Sequence, residues 1–281
     1  MSLLKLLIRG EIIMDLHYKG QAYTGYREVI PANEGLMSFG LLKLKNQEDY
    51  TGESGRFEIA LVILSGKATV NVDEQEYKDL GERKDVFSGR AATVYIPRDS
   101  KYQVKAKSEN FEAALCFVQA EEKYPSFVVK PEEVVVNQRG GETNWQREVH
   151  DIIVDNGEGK VGRIVVGETY SAPGNWSSFP SHKHDTYVPG METELMEIYH
   201  YRVSPDSGFG IQVLYTEDRE LNEAYLIRDT DSVFIPKGYH PVVAPPSIKV
   251  YYLWFLAGNM GRKMLPNDDP NFKELRKLET L

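Results

Sequence analysis

The chain has 281 residues, of which 41% are hydrophobic and 27% charged, and its formal net charge at pH 7 is −9. A chain of this length can bury a sizeable core, and it suits either two domains of ordinary size or one large all-β unit. The negative charge argues against nucleic acid or an anionic membrane as a partner, because both reward clustered Lys and Arg, and no apolar run of about eighteen residues is present that could span a bilayer.

Cysteine usage bears on the cellular compartment. Cys116 is the single cysteine of the chain, so an intrachain disulfide is impossible. It lies in the apolar run 114–118, which is typical of a buried strand, and a structural thiol fits that setting better than a nucleophile. A chain without disulfides fits a reducing environment. We therefore expect a cytoplasmic protein.

The first part of the chain, residues 1–130, is predicted to form one β-barrel. The segment 59–72 has the pattern of a strand, a glycine turn and a second, alternating strand. The segment 92–102 matches the pattern of 232–240 in the second half, so the two halves form a weak internal repeat. The first copy has no histidine at the corresponding places, and the one histidine before residue 130, His17, lies far upstream. We therefore expect the first barrel to lack metal ligands and to serve as a scaffold or interface.

Residues 131–160 are predicted to be an arm that connects the two halves. Adjacent glycines and polar residues in the stretch 134–151 favour a loop. Two interpretations of Arg139 and Arg147 stay open. They are either solvated linker residues or cations that clamp an acidic substrate, which arginine does well through bidentate hydrogen bonds.

The remainder, residues 131–281, carries a set of candidate metal ligands. His182 and His184 stand one residue apart on a predicted strand, so their side chains point to the same face. Glu197 lies on the next predicted strand, which is rich in aromatic and β-branched residues, and His240 follows a Pro-x-Gly turn. Three neutral imidazole nitrogens and one carboxylate suit Zn²⁺, Fe²⁺, Mn²⁺ or Ni²⁺.

The order of these ligands is more informative than any one of them. A lone His-x-His is common on exposed strands, whereas His-x-His, then Glu, then Pro-x-Gly-x-His is the metal pattern of the cupin barrel, a small antiparallel jelly roll. We therefore predict an all-β protein built from two tandem cupin barrels, a bicupin. The segment 261–278 is predicted to be an irregular crossing followed by a short amphipathic C-terminal helix, without a catalytic signal. Exposed edge strands invite pairing, so we expect a homo-oligomer.

At this level of detail the chain resembles the 5-deoxy-glucuronate isomerases of bacterial myo-inositol breakdown, from about residue 5 to residue 272. Its most specific motif is Asn-Trp-Ser-Ser-x-Pro-x-His-Lys-His-Asp at 175–185. The related 5-keto-4-deoxyuronate isomerases share a His-x-His, Met-Glu-Val-Tyr and later His pattern, which supports Glu197 as the ligand rather than Glu192 or Glu194. The other segments that carry the resemblance are 139–147, 197–199, 215–218 and 236–242.

The resemblance implies a bicupin with one divalent metal ion per chain, held in the C-terminal barrel, with zinc as first choice and manganese, iron or nickel as alternatives. It also implies an aldose–ketose isomerase that converts 5-deoxy-D-glucuronate to 2-deoxy-5-keto-D-gluconate through a cis-enediolate. Four protein ligands leave two positions of an octahedral metal open for a vicinal carbonyl and hydroxyl, whose developing charge the metal would stabilise.

Two functions from other classes remain as alternatives. The same ligands around Fe²⁺ activate oxygen in other cupins, so a metal-dependent oxygenase is one of them. A non-catalytic sugar-binding bicupin is the other, although the intact set of ligands argues against it.

Further residues are candidates for catalysis and for binding the sugar acid. Strand alternation places two tyrosines on the face of Glu197, where they are either proton donors or ordinary barrel packing. A general base must reach the proton it removes, and two carboxylates near the predicted loops are the candidates for it. The candidate catalytic residues are Tyr199, Tyr201, Asp185 and Glu194, and the candidate substrate-binding residues are Arg139, Arg147, Gln212 and Lys237.

Overall fold

A computed structural model describes residues 7–8, 11–12, 15–32 and 35–280. Strands account for most of the regular structure, and the described helices are short 3-10 helices at Pro131–Glu133, Asp155–Gly157 and Lys273–Thr280. The predicted all-β fold and the short C-terminal helix are therefore confirmed.

Strands β1–β13 lie in the first half of the chain. They are β1 (Leu7–Ile8), β2 (Glu11–Ile12), β3 (His17–Tyr18), β4 (Gly25–Ile30), β5 (Met37–Leu44), β6 (Asp49–Glu53), β7 (Phe57–Ser65), β8 (Ala68–Val72), β9 (Gln75–Leu80), β10 (Thr93–Ile96), β11 (Lys101–Ala106), β12 (Phe111–Gln119) and β13 (Phe127–Val129).

Strands β14–β25 lie in the second half. They are β14 (Val135–Arg139), β15 (Arg147–Ile153), β16 (Val165–Ser171), β17 (Trp176–Ser177), β18 (His182–Lys183), β19 (Met196–Ser204), β20 (Gly210–Tyr215), β21 (Asn222–Ile227), β22 (Ser232–Ile235), β23 (Val242–Val243), β24 (Lys249–Ala257) and β25 (Asn267–Asp268).

Each half contributes one large and one small antiparallel sheet. In the first half a six-stranded sheet, β13-β10-β7-β12-β5-β4, accompanies a four-stranded sheet, β6-β11-β8-β9. In the second half a seven-stranded sheet, β14-β15-β16-β24-β19-β22-β3, accompanies a four-stranded sheet, β17-β23-β20-β21, and the short pair β18-β25. The strand β3 joins the second half although it lies near the start of the chain. The domain boundary at residue 130 stays a prediction.

Three apolar clusters explain why these sheets associate. One lies between the two sheets of the first half, and one lies between the two sheets of the second half. The third joins the two large sheets face to face, with Phe39 and Val62 on one side and Ile198 and Phe255 on the other. Because the large sheets are covered on both faces, their central strands are nearly continuous apolar runs.

Buried carboxylates add polar links between the halves. Glu58 on β7 is fully buried and accepts hydrogen bonds from the backbone N–H groups of Gly162, Arg163 and Ile164, at 2.6–2.8 Å. Arg83 pairs with Glu168 on β16 at 2.6 Å, with almost no exposure of either side chain. Breaking a buried pair of this kind costs about 3–5 kcal/mol, because it leaves an uncompensated charge.

The predicted connecting arm contains more regular structure than a loop. The strands β14 and β15 pair as an antiparallel hairpin, with Val135 opposite Asp151 and Arg139 opposite Arg147. The adjacent glycines lie in the turn between them, both with positive φ. The loop interpretation is therefore wrong for the residues on either side of the turn. The polar composition of this stretch suggested a solvated loop, but several of its polar residues line a cavity.

Candidate active site and metal centre

Three of the four predicted metal ligands converge inside the second half. The ligand atoms of His184, Glu197 and His240 lie within 4.8 Å of one another, and all three residues are buried. Nε2 of His184 is 3.2 Å and Nε2 of His240 is 3.3 Å from the same carboxylate oxygen of Glu197. Strand β19 carries the glutamate, and the two histidines follow β18 and β22. The site thus draws on three separate strands.

The hydrogen bonds of the imidazoles fit a metal ion. Nδ1 of His184 lies 2.8 Å from the carbonyl of Leu195, and Nδ1 of His240 lies 2.9 Å from the carbonyl of Gly238. A carbonyl can only accept, so each Nδ1 carries a proton, and each ring presents a lone pair on Nε2 when it is neutral. Within the described residues Nε2 of His240 has no hydrogen-bond partner. The two Nε2 atoms and the carboxylate oxygen form a donor set that fits a divalent cation, and such carbonyl-oriented imidazoles are usual around metals.

The three histidines differ in ionisation, and two of them agree with neutral ligands. Burial lowers the pKa of His240 to about 4, and burial together with the neighbouring imidazoles lowers the pKa of His182. Burial also opposes the charged form of His184, but the hydrogen bond and charge of Glu197 outweigh it and raise its pKa. His182 and His240 are therefore neutral near pH 7, as metal ligation requires.

His182, the fourth predicted ligand, stands beside the group rather than inside it. Its ring centre lies 5.0 Å from that of His240 and 6.4 Å from that of His184. Its Nδ1 faces the carbonyl of Pro180 at 3.3 Å, which orients Nε2 in the same way as in the other two rings. Strand β18, which carries His182, pairs with β25, so a segment close to the C-terminus supports this ligand.

Two of the predicted functional residues hold the turn that presents His240. Asp185 accepts a hydrogen bond from the N–H of Gly238 at 2.7 Å, and Lys183 donates to its other oxygen at 2.6 Å. Gln212 donates to the carbonyl of His240 at 2.9 Å. Gly238 has φ +95°, and a Cβ there would lie 2.7 Å from the carbonyl oxygen of Tyr215, so only glycine fits. Asp185 and Gln212 thus brace the turn and do not line the cavity described next.

A cavity of about 310 Å³ opens onto the candidate metal ligands. Of the predicted site residues, it is lined by His182, His184, Glu197, Tyr199, Arg139 and Arg147. Its other lining residues are Asn137, Val149, Asp151, Thr169, Ser178, Leu195, Tyr252, Trp254, Leu256, Met264, Leu265 and Pro266.

The remaining predicted residues lie away from this cavity. Tyr201 is buried beside Tyr199 and donates a hydrogen bond to Gln212. Glu194 and Lys237 are both exposed, and neither lines the cavity. The structure therefore brings together the metal ligands, one tyrosine and two arginines of the predicted set.

Tyr199 is the predicted proton donor that faces the cavity. Its hydroxyl lies 3.1 Å from Oγ of Ser178, which also lies 3.3 Å from the hydroxyl of Tyr252. Burial and the nearby charge of Glu197 raise the pKa of Tyr199 well above its ordinary value, so the hydroxyl keeps its proton. His200, the next residue, points to the opposite face, as alternation predicts, with its ring 5.1 Å from that of Phe39.

The two arginines differ in their partners. Arg147 is buried and donates from Nη1 to a carboxylate oxygen of Glu279 at 2.8 Å and to the carbonyl of Trp145 at 3.0 Å. Arg139 is exposed on the cavity wall and makes no hydrogen bond or ion pair within the part of the chain that the structure describes. Its guanidinium is therefore the cation available for an anionic group of a ligand.

Sequence reasoning missed several lining residues. Asn137 and Asp151 belong to the β14–β15 hairpin, whose alternation was hidden by the loop interpretation. The C-terminal crossing, expected to lack a catalytic signal, lines the cavity with Met264, Leu265 and Pro266, and it supports β18 through β25. No local sequence pattern predicts the pairing of β25 with β18. The alternation of residues 135–139 could have indicated the hairpin.

Comparison with known proteins places this geometry in a family. The model of the KduI/IolB family matches residues 16–275. The chain belongs to the KduI/IolB family. A relative named 5-deoxy-glucuronate isomerase, from Geobacillus thermodenitrificans strain NG80-2, is 37% identical over 212 residues, covering 75% of this chain and 76% of the relative. One from Bacillus subtilis strain 168, with the same name, is 34% identical over 244 residues, or 86% of this chain and 89% of the relative.

Solved structures agree with this assignment. An IolB-like protein from Salmonella typhimurium LT2 has a TM-score of 0.87 at 33% identity and covers 93% of this KduI/IolB chain and 99% of its own. The Lactobacillus farciminis oxalate decarboxylase has a TM-score of 0.64 at 10% identity and covers 92% of this chain and 89% of its own. At that identity the likeness supports the cupin-like fold and nothing further. The predicted family is confirmed, and the chain is an isomerase. Among the described helices, none has the length and apolarity needed to cross a membrane.

Proposed function

We propose that this isomerase converts 5-deoxy-D-glucuronate to 2-deoxy-5-keto-D-gluconate with one divalent metal ion held by His184, Glu197 and His240, with His182 as the fourth ligand. The observation that carries the proposal is the convergence of Nε2 of His184 and of His240 on one oxygen of Glu197, while both Nδ1 atoms face carbonyls. The names of the relatives supply the substrate. Because three nitrogens and one oxygen form the donor set, zinc is our first choice of metal.

The chain's own residues supply three other functions: binding of the substrate carboxylate, donation of a proton and support of the turn that carries His240. When bound, the metal supplies Lewis-acid stabilisation of the negative charge that develops on the sugar oxygens. Arg139, which has no partner among the described residues and lies on the cavity wall, binds the substrate carboxylate through bidentate hydrogen bonds. The protonated hydroxyl of Tyr199 donates to a reacting oxygen, and Ser178 keeps that hydroxyl oriented. Asp185 and Gln212 keep the His240 turn in place.

The test is an assay of the purified protein on the two sugar acids, together with elemental analysis. Glu197→Gln and His182→Ala are expected to lose both the bound metal and turnover. Glu223→Gln, which changes an exposed carboxylate on β21, is the matched control and keeps both. If Glu197→Gln loses the metal yet keeps full activity, the metal has no role in the reaction.

The same assay separates the alternatives. Oxygen consumption with a sugar acid would identify an oxygenase, because an isomerase uses none. Bound metal without turnover on any uronate would identify a binding protein. The cytoplasmic location and the homo-oligomer stay predictions, and gel filtration with light scattering measures the second.

A further inference from the structure

The cavity contains a carboxylate that the proposed mechanism does not use. Among the lining residues that the structure describes, the acidic ones are Glu197 and Asp151. Glu197 faces the imidazoles, whereas Asp151 lies on β15 in the wall of the cavity. The carboxylates nearer to the histidines in sequence, Asp185 and Glu194, lie outside the lining. Any further acidic role in this cavity therefore falls on Asp151.

A row of opposite residues crosses the large sheet of the second half from Asp151 to the end of the cavity where the candidate metal ligands lie, the metal end. Asp151 is opposite Gly167, Gly167 is opposite Trp254, and Trp254 is opposite Tyr199. Residues opposite each other on antiparallel strands share a face, and neighbouring strands are about 4.8 Å apart, so the backbones of Asp151 and Tyr199 are roughly 14 Å apart across the sheet. Asp151 therefore lies at the end of the row farther from Glu197.

The floor between the two ends is apolar. Gly167 has no side chain, and a Cβ there would lie 2.1 Å from Cζ2 of Trp254, so the indole covers the glycine. Trp254 lines the cavity together with Asp151 and Tyr199. A ligand that extends from the metal end across this indole would bring its far part to Asp151.

Asp151 retains hydrogen-bonding capacity. Asn137 donates to its Oδ2 at 2.8 Å, and within the described residues no donor reaches Oδ1. Burial raises its pKa, while Asn137 and the charge of Arg139 act in the opposite direction. Asp151 and Arg139 line the same cavity without forming an ion pair, so each is available to a ligand.

We propose that Asp151, supported by Asn137, is a specificity residue that accepts a hydrogen bond from a hydroxyl of the sugar chain, between the reacting carbons and the carboxylate at Arg139. This inference rests on the proposed function. A carboxylate accepts hydrogen bonds and repels another carboxylate, so its partner in a sugar acid is a hydroxyl. In 5-deoxy-D-glucuronate, the hydroxyls on carbons 3 and 4 lie between the reacting carbons and the carboxylate. A site built to bond a hydroxyl rejects an analogue that lacks it.

The experiment compares two ligands that cannot isomerise, D-glucarate and its 3,4-dideoxy analogue, by calorimetry on the metal-loaded protein. Wild type is expected to bind the hydroxylated acid about 10- to 100-fold more tightly, as a hydrogen bond to a charged group allows. Asp151→Ala is expected to abolish that preference and to change the affinity for the dideoxy acid by less than about threefold. Asp151→Asn keeps the shape and one acceptor oxygen, so an intermediate preference is expected. If the alanine variant does not fold, Asp151→Asn tests the inference in its place.

Three results would overturn the inference: an unchanged preference in Asp151→Ala, an equal loss of affinity for both acids, or a wild type without preference. Measured metal content controls for a general disturbance of the site. Turnover is assayed separately, so that the two proposals fail in different ways. A protein that prefers the hydroxylated acid through Asp151 yet does not isomerise the uronate refutes the proposed substrate only.

Discussion

The two sheet pairs follow one strand pattern but enclose different interiors. In the first half Ile96, which precedes a proline, is opposite Ile59 on the neighbouring strand. In the second half Ile235, which also precedes a proline, is opposite Glu197. The candidate metal carboxylate therefore occupies the position that an isoleucine fills in the first half.

The difference continues along the same two strands. Counting two residues at a time from the matched position, Leu61 corresponds to Tyr199 and Ile63 to Tyr201, and all four side chains belong to the interior clusters. The buried cluster of the first interior contains one tyrosine, Tyr102, whereas that of the second contains Tyr199, Tyr201 and Tyr252. Glu197, Gln212 and His240 are also buried in the second half. One scaffold thus serves for stability in one half and presents a site in the other.

The largest effect is expected when Glu197 of the second half is replaced by the isoleucine that stands at the matched position, Ile59, of the first half. Glu197→Ile is expected to abolish metal binding and to lower kcat/KM by more than about 10³-fold, because both the carboxylate ligand and the charge stabilisation are lost. The fold should persist, since the same residue type occupies the matched position of the first half. Elemental analysis, turnover and thermal unfolding are the measurements.

The matched control for that variant lies in the first half. Ile59→Val is expected to cost about 0.5–1.5 kcal/mol of the free energy of unfolding, as usual for one buried methylene. Its metal content should equal that of the wild type. Metal loss in Ile59→Val would mean that the first interior is part of the site.

A second pair of variants should separate stability from activity. Leu61→Ala removes a fully buried side chain from the first interior and is expected to cost about 2–5 kcal/mol, with kcat unchanged for the folded protein. Tyr199→Phe removes one hydroxyl from the second interior and is expected to lower kcat about 10²-fold, as for loss of a proton donor. Urea unfolding and steady-state kinetics measure the two effects. Equal effects of both variants on kcat would contradict the division of roles.

Much of the site could be predicted from the sequence, because strand alternation has a fixed period. Alternation placed Glu197 and Tyr199 on one inward face and His200 on the other, and the structure agrees. The Pro-x-Gly turn brought His240 to the same interior, because the turn restricts the backbone at Gly238. Short-range rules of this kind need no knowledge of the tertiary packing.

The rest depended on contacts between distant segments. Asp185 is near the histidines in sequence, but Lys183 and the backbone of Gly238 take up its carboxylate. Asp151 and Asn137 line the cavity because they lie on a hairpin, whose polar composition had favoured a loop. In the same way, β25 reaches β18 only after the chain has completed both small sheets. Neighbours of this kind are invisible to propensity and periodicity.

A smaller effect on stability than that of Leu61→Ala is expected at a contact that joins the two halves. Glu112 of β12 accepts hydrogen bonds from Nη2 of Arg202 at 2.7 Å and from the hydroxyl of Tyr23 at 2.5 Å. Burial opposes its ionisation, but Arg202 and Tyr23 outweigh burial and hold the pKa of Glu112 below its ordinary value of 4.5. A carboxylate with a depressed folded-state pKa contributes stability that is present above its ordinary pKa and declines as the pH falls through the folded-state pKa.

Glu112→Gln is therefore expected to lower the free energy of unfolding by roughly 1–3 kcal/mol at pH 7, the usual worth of a hydrogen bond to a charged group. The difference from wild type should shrink below the ordinary pKa of 4.5, because protonation then removes the same charge from the wild type. Urea titrations of both proteins at pH 7 and in increasingly acidic buffers measure it. A difference that is independent of pH, or that grows as the pH falls, would mean that the Glu112 charge does not help to hold the halves together.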